Sequence, residues 1–137
     1  MRPGYAMSWN VDGEGRVYST YNNSNALAST LYNAASQPTQ VNFGNGDSDS
    51  FSYDANTSRM TQYQFNVNGS PLTGVLGWNA NGTLQTQNIT DPFNSADTQN
   101  CSYSYDDLSR LTGAPTVAAQ RHRRFLITVT GPARSET

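Results

Sequence analysis

Along Met60-Thr61-Gln62-Tyr63-Gln64-Phe65-Asn66-Val67 apolar and polar residues alternate, the period-two mark of a strand with one covered face. Asn68-Gly69 follows at once, and this pair suits a tight hairpin because both residues tolerate positive φ. Asn45-Gly46 and Asn81-Gly82 offer the same turn chemistry, and Tyr5, Met7 and Trp9 already alternate near the start of the chain. Only Asn25 to Ala35 has a helical spacing, through Leu27 and Leu31, but Thr30, Tyr32 and Asn33 also suit a strand, which is the preferred reading. The pattern predicts an all-β chain of antiparallel hairpins.

Self-comparison adds a period. Tyr103-Ser104-Tyr105-Asp106-Asp107-Leu108-Ser109-Arg110-Leu111-Thr112 matches Phe51-Ser52-Tyr53-Asp54-Ala55-Asn56-Thr57-Ser58-Arg59-Met60-Thr61, with one more loop residue in the 51–61 copy. Weaker copies run from Trp9-Asn10-Val11-Asp12 to Gly15-Arg16-Val17, from Leu31-Tyr32-Asn33 to Gln37-Pro38-Thr39, and from Trp78-Asn79 to Gly82-Thr83-Leu84. Each has an alternating run, an Asp or Asn, a short loop, a polar residue and a new alternating run. The anchors Asp12, Asn33, Asp54, Asn79 and Asp106 are 21, 21, 25 and 27 residues apart, within the range of stacked repeat architectures. An anchoring Asp or Asn bonds backbone amides two residues on, so each unit reads as one hairpin, rolled with its neighbours into a curved meander sheet.

Composition narrows the classes. Of 137 residues, 35% are hydrophobic and 13% charged, and the apolar share is rich in aromatics: eight Tyr, five Phe and two Trp. That argues against a large aliphatic core and for aromatic ladders on a sheet. A net charge of −2 lacks the basic footprint of a nucleic-acid binder. The sequence has no apolar run of membrane-spanning length and no secretory stretch at Met1-Arg2-Pro3-Gly4-Tyr5, so export would be directed from elsewhere in a longer chain. Lys is absent, which excludes a phosphate-binding loop closed by Lys.

In these residues the sequence resembles the Rhs/YD-repeat family, whose motif is Tyr-Asp, a short loop, Gly, Arg, an aliphatic residue and Thr. Tyr105-Asp106 with Arg110-Leu111-Thr112, and Tyr53-Asp54 with Arg59-Met60-Thr61, carry the motif, while Asp12 and Arg16 keep its Asp and Arg. Ser109 and Ser58 stand where the family has Gly, which leaves the turn type open. The resemblance covers residues 5–113 and implies a β-shell wall that encloses a toxic or effector C-terminal domain. It also implies a non-enzymatic segment, extracellular or at the cell surface as part of a larger exported protein. The partners it implies are the rest of the parent chain or the enclosed domain.

The competing functional class is a carbohydrate-binding or adhesive module, with Trp9, Trp78 and Tyr63 exposed as stacking platforms for glycans. Six Asn-x-Ser/Thr triplets, beginning at Asn22, Asn56, Asn68, Asn81, Asn88 and Asn100, add little in a chain with this much Asn, Ser and Thr. No catalytic residue, metal site or cofactor is expected. Cys101 and His122 have no third group to orient them, Asp106 and Asp107 point apart as neighbours, and 44–49 reads as a polar hairpin loop before a calcium site. Residues 114–137 change character, with four of eight Arg, the only His and the basic run Arg121-His122-Arg123-Arg124. This basic tail reads as solvated, with one further strand conceivable over Phe125 to Thr130.

Overall fold

The computed structural model describes residues 4–114. The tail 115–137, with its basic run, its candidate strand and His122, lies outside the described residues. Nine antiparallel strands form one sheet in simple sequence order: β1 (Met7–Val11), β2 (Val17–Asn22), β3 (Asn25–Tyr32), β4 (Pro38–Phe43), β5 (Ser48–Tyr53), β6 (Met60–Val67), β7 (Ser70–Trp78), β8 (Leu84–Thr90) and β9 (Gln99–Ser102). A short hairpin, β10 (Ser104–Tyr105) with β11 (Leu111–Gly113), follows as a separate ribbon. The Tyr103 amide ties it to the sheet by donating to the Gln85 carbonyl at 2.9 Å.

The meander is open, not closed into a barrel, and contains no α-helix among the described residues. One turn of 3-10 helix, Ser95–Asp97, interrupts the β8–β9 connection, where the Asn94 side chain caps it by accepting from the Ala96 amide. The segment at Asn25 is strand, as β3.

Register sorts the side chains onto two faces, because residues directly opposite each other project to the same side. One face carries Phe51, Tyr63, Gly74, Ile89 and Gln99 as a row across five strands, with Phe65 and Leu72 beside it. Phe65 meets Tyr63 with ring centroids 5.2 Å apart and Phe51 edge-on at 6.5 Å. The other face carries Asn10, Ser19, Ser29, Asn42, Ser48, Asn66 and Pro71 as a row across seven strands. Asn10 bonds Ser19 at 3.0 Å and Asn42 bonds Ser29 at 3.4 Å within that row.

Nothing packs behind either face among the described residues, so the buried set is tiny: Ser19, Gly74 and Cys101. Gly74 is a close-approach site. The Tyr63 ring lies across it, and a β-carbon there would collide with the ring. Among the described residues Asp49 is the only charged residue inside a strand, and every other charge sits in a turn, a loop or, for Asp97, the 3-10 turn.

Candidate functional site

In a meander every second turn falls on the same edge; four anchors occupy those turns, and the fifth occupies the turn of the ribbon that follows. Asp12 joins β1 to β2, Asn33 joins β3 to β4, Asp54 joins β5 to β6, Asn79 joins β7 to β8, and Asp106 joins β10 to β11. In four of them the anchor amide donates to the carbonyl four residues on, and the anchor carbonyl accepts the amide three residues on. Asp54, with one more loop residue, makes the equivalent bonds with Arg59 and Ser58. The residue whose carbonyl closes each loop, Arg16, Gln37, Arg59, Thr83 or Arg110, is its bridging residue, and the one before it has positive φ in all five: Gly15 at 80°, Ser36 at 60°, Ser58 at 57°, Gly82 at 92° and Ser109 at 60°. This is a turn closed by a left-handed residue, and serine reproduces the glycine geometry at Ser58 and Ser109. The turn type that the sequence left open is therefore the same in all units but for the longer Asp54 loop.

The anchor side chains hold the loops shut. Asp12 Oδ1 accepts the amides of Glu14 (2.9 Å) and Arg16 (3.0 Å), while Oδ2 accepts Arg16 Nε at 2.7 Å. Asp106 repeats this with Leu108, Arg110 and Arg110 Nε at 2.6 Å. Asp54 Oδ1 accepts the Asn56 and Thr57 amides and the Thr57 hydroxyl. Asn33 Oδ1 accepts from Ala35 and Gln37, and Asn79 Nδ2 donates to Thr83. Bonds from the Thr57 amide and hydroxyl hold the Asp54 carboxyl below its usual range, and those from the Arg110 amide and guanidinium do so for Asp106. At Asp12 desolvation pushes upward, but the Arg16 and Glu14 bonds outweigh it and the net direction is down.

Two further sets of bonds join one turn to the next. The aromatic residue before each anchor from the second unit onward donates to a carbonyl of the preceding unit. Tyr32 Oη reaches Val17 at 2.8 Å, Tyr53 Oη reaches Pro38 at 2.8 Å, Trp78 Nε1 reaches Met60 at 2.7 Å and Tyr105 Oη reaches Leu84 at 2.8 Å. In each case the acceptor directly follows the bridging residue of that preceding unit. The bridging residues point the other way. Arg16 Nη1 donates to Ser36 Oγ (3.0 Å), Gln37 Nε2 to the Ser58 carbonyl (2.8 Å) and Arg59 Nη1 to the Asn79 carbonyl (3.2 Å). Thr83 is too short to reach across, and Asn81 Nδ2 contacts Ser109 Oγ at 3.4 Å instead. The Arg16 guanidinium also lies 4.7 Å from the centroid of the Tyr32 ring.

The sequence singled out Asp12, Arg16, Tyr53, Asp54, Arg59, Tyr105, Asp106 and Arg110 for this edge. Tyr32, Ser36, Gln37 and Asn81 belong to it as well, and their constant offset from the anchors was the available signal. The second edge has ties of its own, since Asn68 N donates to Asp47 Oδ1 at 2.9 Å and Gly44 N to the Leu27 carbonyl at 2.8 Å.

The proposed stacking aromatics are not brought together. Trp9 is 64% exposed on edge strand β1, whereas Trp78 lies on β7, half-buried with its indole N–H already bonded to Met60. Tyr63 is likewise half-buried over Gly74, and its hydroxyl accepts Gln87 Nε2 at 3.1 Å. Trp78 and Tyr63 are half-buried by cross-strand packing, as aromatic ladders on a sheet require, and do not stand exposed as the glycan-stacking alternative requires.

In the loop over 44–47, Asp47 is occupied by Asn45 Nδ2 and the Asn68 amide. Desolvation and the neighbouring Asp47 raise the Asp49 carboxyl. No group of three or more His, Cys, Asp or Glu among the described residues could hold a metal ion. No helix among them is long and apolar enough to cross a membrane.

No protein-family model matches the chain, and no curated protein matches it by sequence. Its fold does match solved structures. A crystal structure of TcdB2-TccC3-Cdc42 aligns with TM-score 0.70 and 16% identity, over 79% of this chain and 6% of that one. A crystal structure of TcdB2-TccC3-TEV gives 0.70 and 18% over the same shares. The Photorhabdus luminescens Tc holotoxin pore carrying TccC3-D651A gives 0.66 and 17%, again over 79% and 6%. This chain therefore spans a small part of the length of the Tc toxin chains whose fold it shares.

Proposed function

We propose that this chain is a non-enzymatic wall segment of an Rhs/YD-repeat protein, one stretch of a β-shell that encloses a toxic or effector domain. The observation that supports this most is the two-way ladder along the anchored edge. Its aromatic donors reach back one unit and its bridging residues reach forward one unit, so the motif residues serve to add one hairpin to the next. The likeness to Tc toxin chains supports the same reading at the level of fold. Such a wall belongs to an exported protein, and its partners are the flanking repeats and the enclosed domain.

Sequencing the DNA on both sides of the reading frame, in all frames, tests the proposal. Further Tyr-Asp units at a spacing of 21 to 27 residues, followed by a compact domain, are the expected result. Non-coding flanks would overturn it and leave a free-standing repeat module.

A further inference from the structure

Three Asn-Gly pairs sit in hairpin loops, and the structure treats them differently. At Asn45-Gly46 the Gly46 amide donates to the Phe43 carbonyl at 3.0 Å, while the Asn45 side chain accepts from the Asp47 amide and donates to Asp47 Oδ2. At Asn81-Gly82 the Gly82 amide donates to the Asn79 carbonyl at 3.0 Å, and the Asn81 side chain is engaged with Thr83 and Ser109. Asn68-Gly69 is a two-residue turn between the paired Val67 and Ser70, with φ of 51° and 78°. There both residues are exposed, and neither the Gly69 amide nor the Asn68 side chain has a hydrogen-bond partner among the described residues.

From this we infer that Asn68 is a site of spontaneous backbone-mediated deamidation, selected over Asn45 and Asn81 by the fold. The Gly69 nitrogen attacks the Asn68 side-chain carbonyl carbon. A C–N bond forms, the bond from that carbon to Nδ2 breaks, and the amide proton of Gly69 leaves with the released ammonia. Water then opens the cyclic imide at either carbonyl, giving aspartate or isoaspartate. Glycine at the attacking position leaves the nitrogen unshielded by a β-carbon. At Asn45 and Asn81 the nucleophilic amide and the side chain must first be pulled from their hydrogen bonds.

The product has a local effect. A new carboxylate, or an isoaspartate with one extra backbone carbon, arises at the turn whose amide donates to Asp47 Oδ1 at 2.9 Å. Like charge beside Asp47 weakens that tie between the β4–β5 and β6–β7 hairpins.

The test is peptide mapping by mass spectrometry of the whole chain aged in mildly alkaline buffer, once folded, with circular dichroism recording the β-sheet signal, and once in concentrated urea. In the folded sample Asn68 converts first, about fivefold or more ahead of Asn45 and Asn81, the separation expected from even one hydrogen bond that must open. In urea the three rates converge. Equal rates in the folded sample overturn the inference. So does an Asn68 preference that persists in urea, which would assign the order to the residues after each glycine, Asp47, Ser70 and Thr83.

Discussion

Ser36, Ser58 and Ser109 occupy a left-handed backbone position that costs a residue with a β-carbon about 1–2 kcal/mol. Two of the three have a reason to be serine, since Ser36 Oγ receives Arg16 and Ser109 Oγ receives Asn81. Ser58 receives Gln37 through its backbone carbonyl only. Ser58→Gly should therefore stabilise the fold by roughly 0.5 kcal/mol after the entropy of the added glycine is subtracted. Ser36→Gly loses a bridge and should leave stability unchanged within about 0.5 kcal/mol. Chemical denaturation of the two variants checks the split.

Asp12, Asp54 and Asp106 have lowered folded pKa values, so their contribution is complete above the unfolded value of about 3.9 and disappears as pH falls through the folded values. Asp49 is raised and has the opposite sign, favouring the fold in acid and opposing it as pH rises through its folded value. Thermal melts should show a loss of stability below about pH 4. Asp49→Asn should raise the melting temperature at neutral pH and do so less in acid.

At the scale of the hairpin, the aromatic before the anchor carries the bond between units. Tyr53→Phe keeps the ring and removes only the hydroxyl that reaches the Pro38 carbonyl, so a loss of about 1 kcal/mol is expected. For a domain of this size that is roughly 3–5 °C in melting temperature, readable by circular dichroism. Most of the elements were legible in the chain, because alternation marks strands and Asp or Asn followed by Gly or Ser marks their turns. The alternation over Met60 to Val67 has one interruption, the two successive polar residues Thr61 and Gln62. Opposite it Ser52 pairs with Gln62 and Tyr53 with Met60, which leaves Thr61 as the extra residue of a bulge. The same irregularity follows the anchors at Asp12, Asn33, Asn79 and Asp106. The tyrosine-to-carbonyl bonds were hidden for a physical reason, since their partners are 15 to 21 residues apart and meet only once the register is set. The half-buried state of Trp78 was hidden likewise, because only pairing reveals the Met60 carbonyl that its indole meets.

At the scale of the molecule, each strand among the described residues pairs only with its neighbours in sequence, so their stability is a sum of adjoining interfaces with no shared core among them to average it. The outermost strand β1 presents Met7-Ser8-Trp9-Asn10-Val11, uncharged, free of proline and exposed throughout. Such an edge invites pairing with a second copy when the chain is isolated. Sedimentation analysis should show concentration-dependent association, reduced by Met7→Lys. The meander order also dictates how the sheet yields to force. Tension applied through its two ends meets hairpins in series, so each pair of strands unzips in turn while the turn-to-turn bonds load one at a time. Extension should then proceed in steps of about 70 Å for a unit of 21 residues, at forces set by one interface and independent of how many remain. A sheet built this way opens from an end, one interface at a time.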